Sequence, residues 1–220
     1  MVVPQVARQS GFPSYLSDMS GFFEKLAALF QPAASPDRAS TVETVHTTMH
    51  GVPVEVINTR PDIATAHVLA RLDEALALIA TYQPWRLAHL QRDIRGIRVE
   101  RFACRGAFMP QDNVIITELT FLARRDITAA PVASSILHEG VHARVHAMGV
   151  YRTEDQLPRE ERLCRRAELA FGLALPPELG APVVERAMAS LSLNDRDVAP
   201  IVDWQEAQRR QDAADRNGST

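Results

Sequence analysis

Cysteine is scarce in this 220-residue chain, which has only Cys104 and Cys164. Two thiols cannot build a disulfide framework or a cysteine-type zinc motif, and they are expected buried and reduced. A surplus of charge is also missing, since 24 Lys and Arg face 27 Asp and Glu for a net charge of -3. That balance lacks the basic field that phosphate-driven nucleic-acid binding requires, so nucleic acid is not an expected partner. Long apolar runs are absent too. Stretches such as 76–80 fall far short of the roughly 20 residues that cross a bilayer, and no membrane span is expected. The start, MVVPQVARQSGFPSYL, has no basic stretch followed by a long apolar one and does not read as a secretory signal. Cytoplasmic residence is therefore expected. What is present, 46% hydrophobic residues among ordinary amounts of Gly and Pro, is the make-up of one globular domain, or of one domain with an appendage.

The appendage is residues 1–40, where Pro, Ser, Gly and Gln surround one short apolar run, Phe22 to Phe30. It reads as a flexible leader with one short helix. Residues 41–210 are expected to form a single domain, and 211–220 a disordered tail. From Val42 to Ile57 the chain alternates and is rich in Val and Thr around His50-Gly51, the pattern of a hairpin. Between Pro61 and Tyr82, Ile63, Val68, Leu69, Leu72, Leu76 and Ile79 recur at steps of three and four along an amphipathic helix. A shorter helix follows Pro84. Strands are expected over 97–102 and 114–116, with Pro110 to Asn113 as turn residues. Beyond Thr117 the pattern is helical. Thr128 can cap a helix with Pro131 in its first turn that stops at Gly149. Further helices fit 158–175, 182–193 and 198–210.

The helix that stops at Gly149 carries His138-Glu139-Gly140-Val141-His142, an H-E-x-x-H sequence. Its two imidazoles project from one face one turn apart, the spacing that two ligands of one zinc ion need. A shuffled chain of this composition contains the pattern roughly 0.014 times, so chance is a weak rival. Leu137, Val141, Val145 and Met148 form an apolar stripe about 100° around the helix from the histidines, as expected of a helix that packs into a core while lining a cleft.

A catalytic zinc takes three protein ligands and keeps one position for water, so a third ligand must come from elsewhere. The next helix places Glu161, Cys164, Glu168, Phe171 and Leu175 at steps of three or four, with two carboxylates on a face that otherwise reads as buried. Such carboxylates need a metal or an arginine as partner. Glu161 and Glu168 lie about 10 Å apart along a helix and cannot both bind one ion. One is the ligand, with Glu161 favoured, and the other orients an imidazole or pairs with an arginine. Cys164 is a possible soft ligand, although packing explains it with less. His146 lies about 12 Å along the helix from His138, too far to complete a three-histidine site, which leaves it a role near the substrate or none. His46, His50, His67 and His89 have no spacing that implies a second metal.

With these residues the chain resembles the zincin metallopeptidases, specifically the gluzincins, in which H-E-x-x-H lies on one helix and a glutamate ligand on a later one. The stretch Ala107 to Pro110 followed by Asn113 to Thr117 is similar to the active-site edge strand of compact membrane-type and minimal gluzincins, a strand that pairs with extended peptide substrates. The resemblance covers about residues 97–175, and H-E-x-x-H is its one specific motif. It implies zinc held by His138, His142 and Glu161, with Glu139 as the general base that activates water. It also implies a side chain that steadies the developing oxyanion, for which Tyr151, Arg152 and His146 are the candidates. The chain departs from the family at Arg165, where many gluzincins place an aspartate that supports the first histidine.

The expectation is an α+β, zincin-like domain with a short antiparallel sheet packed on the H-E-x-x-H helix and a mostly helical C-terminal half. Its expected function is zinc-dependent hydrolysis of a peptide or protein substrate, with the oligomeric state left open. One alternative is a binding or regulatory module that keeps the metal as a structural clip, against which the intact Glu139 counts. Another is a helical interaction domain without metal.

Overall fold

The computed structural model describes residues 42–150, 156–199 and 204–217. The expected leader, with its helix over 22–30, lies outside them, as do Tyr151 and Arg152.

The hairpin forms where alternation placed it. Strands β1 (Glu43–Met49) and β2 (Val52–Asn58) pair antiparallel across His50 and Gly51, whose φ values of 48° and 75° suit a two-residue turn that twists with its strands. Helices α1 (Thr65–Tyr82) and α2 (Pro84–Asp93) then cross over to β3 (Gly96–Glu100). Strands β4 (Gly106–Met109) and β5 (Val114–Glu118) follow, and the sheet order is β1-β2-β3-β5-β4.

The sheet is mixed rather than the short antiparallel one expected. Its outer pairs, β1 with β2 and β4 with β5, are antiparallel, whereas β3 runs parallel to both β2 and β5. The two-helix crossover is what allows β2 and β3 to run the same way, because a tight turn can join only antiparallel strands. Inward residues of the central strands, among them Val54, Val56, Ile97, Val99 and Ile115, share one core with Leu72, Leu76 and Ile79 of α1 and with Ile136 and Leu137 of α4 (Ala130–Ala147). Burial of that apolar surface is the main force holding the helices to the sheet.

Beyond β5 the described chain is helical. A short α3 (Leu119–Ala123) precedes α4, and α5 (Leu157–Ala174) and α6 (Pro177–Leu191) follow. Helix α4 has Pro131 in its first turn and is followed by Gly149 at a φ of 68°, the expected early proline and late glycine. Helix α6 begins at Pro177, so Pro182 sits inside it rather than opening it. Pro177 takes the tolerated first-turn place, and Pro182 forgoes the bond to the carbonyl four residues back. The helix expected over 198–210 is two pieces, α7 (Asp195–Val198) and α8 (Trp204–Asn217). The second continues to Asn217, into the stretch expected as a disordered tail.

Candidate metal centre

Helix α4 is buried along Ser134, Ser135, His138 and Glu139. Its histidines face α5, which lies antiparallel to it, so that Glu160 meets His142 and Glu168 meets His138. The imidazoles stand edge to face with ring centres 5.1 Å apart, and their Nε2 atoms approach to 3.3 Å. Two nitrogens about 2.0–2.1 Å from one tetrahedral zinc lie about 3.4 Å apart, so the pair is already spaced as ligands of a single ion.

Glu161 reaches into the same space. Its Oε2 lies 3.2 Å from His138 Nε2 and its Oε1 lies 3.3 Å from His142 Nε2. A carboxylate on both inner nitrogens lies within reach of an ion that the two histidines would share. Cys164 approaches from the next turn of α5, fully buried, with Sγ 3.5 Å from His142 Nε2. Sulfur about 2.3 Å from a tetrahedral zinc and nitrogen about 2.0–2.1 Å from it lie about 3.5 Å apart, so this contact also fits a shared ion. Among the described residues, the donor atoms of His138, His142 and Cys164 all fall within 4.8 Å of one another, a group able to hold a metal ion. Glu161 approaches both imidazoles, whereas Cys164 approaches the inner nitrogen of His142.

Each imidazole is held from behind. His138 Nδ1 lies 2.7 Å from Glu168 Oε1, and His142 Nδ1 lies 2.5 Å from Glu160 Oε1. An ionised carboxylate only accepts, so each Nδ1–H donates, and a ring that gives up its second proton has Nε2 free to act as a ligand. Glu168 therefore sits on the outer nitrogen of His138, away from the meeting point of the three inner donors. Its oxygens also accept from Ser134 Oγ at 3.0 Å and from Arg165 and Arg186 at 2.6 Å each. Glu168 thus occupies the supporting role that Arg165 cannot fill. Periodicity passed over Glu160, although the series Glu160, Cys164, Glu168 at steps of four marks the same face of α5.

The charges follow this geometry. Burial pulls the His138 imidazolium down, but the bonds to Glu161 and Glu168 outweigh it and hold its pKa at about 10. His142 is likewise raised against burial, by the charge and contact of Cys164 and by Glu160 and Glu161. Burial would raise both carboxylic acids, yet the two histidines hold Glu161 far below its ordinary range, and His138 with Arg186 and Arg165 holds Glu168 at about 2.

Glu139, next to His138 on α4, reaches β4, where its Oε2 accepts from the Phe108 N–H at 2.9 Å. There a cleft of about 370 Å³ opens beside His138 and Glu139, lined by Arg105, Arg165 and Arg186. His146, one turn beyond His142, is exposed, with its ring centre 5.6 Å from that of Phe108. It is not among the residues lining the cleft. Met148, expected on the apolar stripe of α4, is 61% exposed just past the helix end.

In comparisons with known proteins, no family model, no curated protein and no solved structure matches the chain.

Proposed function

We propose that the chain is a zinc-dependent hydrolase acting on peptide bonds, with His138, His142 and Glu161 as ligands and Glu139 as general base. The observation that carries this reading is the meeting of His138 Nε2, His142 Nε2 and the Glu161 carboxylate at separations of 3.2–3.3 Å. A His, His, Glu set with one position left for water is a zinc hydrolase set.

Zinc bound there would polarise the scissile carbonyl and lower the pKa of a water toward about 7. The chain's own residues do the rest. Glu160 and Glu168 fix the tautomer and aim of the two imidazoles. The Phe108 N–H holds one oxygen of Glu139, leaving the other to take a proton from the attacking water and return it to the leaving amine. Strand β4 ends the sheet, and an edge strand offers backbone groups that an extended peptide can pair with.

The test is metal analysis of protein purified without chelator, followed by digestion of a mixed peptide library. About one zinc per chain, with cleavage abolished by chelator and by Glu139→Gln, is the expected result. No bound metal even after zinc is added back would overturn the reading.

Cys164 favours a second reading, a binding or regulatory module whose metal is closed off from water. Its Sγ, 3.5 Å from His142 Nε2, is placed to take the fourth position. A fourth protein ligand makes a structural centre, in which Glu139 has no catalytic task.

A further inference from the structure

The cleft beside Glu139 collects three guanidinium groups from three separate elements: Arg105 ahead of β4, Arg165 on α5 and Arg186 on α6. Facing them are two carboxylates, Glu139 in the cleft and Glu168 behind it. Glu168 already serves both Arg165 and Arg186, and it also accepts from Ser134 and His138. The buried Nε of Arg165 has no hydrogen-bond partner. Arg105 makes no ion pair among the described residues, and its guanidinium stands 5.3 Å from the centre of the Phe121 ring. Its pKa is lowered by burial and then by the charges of Arg186, Arg124 and Arg165, which mark it as a cation crowded by cations.

Crowding like charges costs free energy that the fold has no need to bear, and a carboxylate entering the cleft would relieve it. A planar guanidinium with free N–H groups is the side chain best shaped to receive one. Resting on the peptidase reading above, we infer that the Arg105 cleft is a carboxylate subsite and that the substrate carries an acidic group beside the bond to be cut. An acidic side chain and a C-terminal carboxylate both offer this chemistry. The cleft contains Glu139, so the bound carboxylate lies within a residue or so of the reacting bond.

Fluorescence anisotropy with three labelled alanine-rich peptides tests this on the full chain, both as purified and after chelation. The first has one central Glu and an amidated end, the second has Gln in its place, and the third is the Gln peptide with a free C-terminal carboxylate. The expected result is about tenfold tighter binding of the first or the third peptide than of the second, and whichever gains identifies the source of the carboxylate. Arg105→Gln abolishes that preference, whereas Arg105→Lys, which keeps the charge without the fork, retains part of it. Equal affinity for all three peptides, no saturable binding by any, or a preference unchanged in Arg105→Gln overturns the inference. The arginines do not need the metal, so the ranking is expected in chelated protein as well. A chain that binds no zinc yet keeps the preference would sink the hydrolase reading and leave the subsite standing.

Discussion

Glu161 spans the two histidines of the H-E-x-x-H turn, one oxygen 3.2 Å from His138 Nε2 and the other 3.3 Å from His142 Nε2. Glu168, seven residues on, meets just one of these two imidazoles, at the outer nitrogen of His138. The two glutamates therefore differ in what their loss does to a bound metal, although both lie on α5 and both bond the same imidazole.

Under the proposed assignment, Glu161→Gln and His142→Ala are expected to abolish zinc binding, because each removes a proposed ligand. Glu168→Gln and Glu160→Gln should bind one zinc with affinity lowered by about 10- to 100-fold, the usual effect of losing a carboxylate behind a ligating imidazole. Competition against a chromophoric chelator measures all four. Equal losses in Glu161→Gln and Glu168→Gln would refute the division of roles. Circular dichroism of each variant separates loss of metal from loss of fold.

Cobalt substitution reads the place of Cys164. If water completes the centre, the cobalt protein has no sulfur-to-metal band in the near ultraviolet, and Cys164→Ser leaves its spectrum and cobalt content unchanged. This is the expected outcome. A band that vanishes in Cys164→Ser would give the fourth position to sulfur, close the centre to water and favour the regulatory module over the hydrolase.

The sequence made some of this arrangement readable and not the rest, for identifiable reasons. The hairpin could be read because its signal is local: alternating Val and Thr around His50-Gly51. The limits of α4 could be read because Pro131 and Gly149 punctuate it. Strand partners could not, since nothing within β2 or β3 records that α1 and α2 carry the chain over to a parallel pairing. Glu160 could not be read because it adjoins Glu161, and only the antiparallel register of α4 and α5 brings both consecutive carboxylates to His142, Glu160 at the outer nitrogen and Glu161 at the inner one. Arg105 and Arg186 were invisible for a similar reason. They are 81 positions apart and on different elements, and only the folded chain brings them to one cleft. Pro182 misled because a proline more often opens a helix than sits within it, and Pro177 had already taken the opening place.

Cys104 provides a test by pH. Burial and then the nearby Glu139 charge push its thiol up to about 12 from an ordinary 9.0, while its Sγ donates to the Gly106 carbonyl at 3.1 Å. At pH 8 about one in ten thousand such thiols is ionised, so alkylation by iodoacetamide should be negligible in the native protein and rapid after unfolding. The raised value also fixes the sign of its linkage to stability. The folded chain holds this proton to higher pH than the unfolded chain does, so below pH 9 nothing is lost, and between about 9 and 12 stability falls. Mass-spectrometric mapping of native protein at pH 8 decides the first point, and prompt native labelling of Cys104 would contradict the burial argument.

The position of Arg186, and with it the arginine cleft, depends on how closely α6 approaches α5. Gly172 on α5 and Gly180 on α6 make that approach possible. A Cβ on Gly180 would collide with the carbonyl oxygen of Gly172, and one on Gly172 would lie 2.9 Å from Val184 Cγ2 and 3.0 Å from Val183 Cγ1. The first collision is with backbone, which no rotamer change relieves. Gly180→Ala must therefore push the helices apart, at a cost of about 1–3 kcal/mol, as overpacking in a core usually exacts. For a domain of this size that lowers the melting temperature by several degrees. Gly149→Ala is the control. No atom lies within 4 Å of its added Cβ, and only the φ of 68° is strained, so its cost is about 1 kcal/mol. Separating the helices also draws Arg186 from Glu168, so Gly180→Ala, unlike Gly149→Ala, should weaken zinc binding although it touches no ligand. Thermal unfolding beside zinc titration of the two variants checks both claims, and equal zinc affinity in the two would show that the helix contact does not govern the centre.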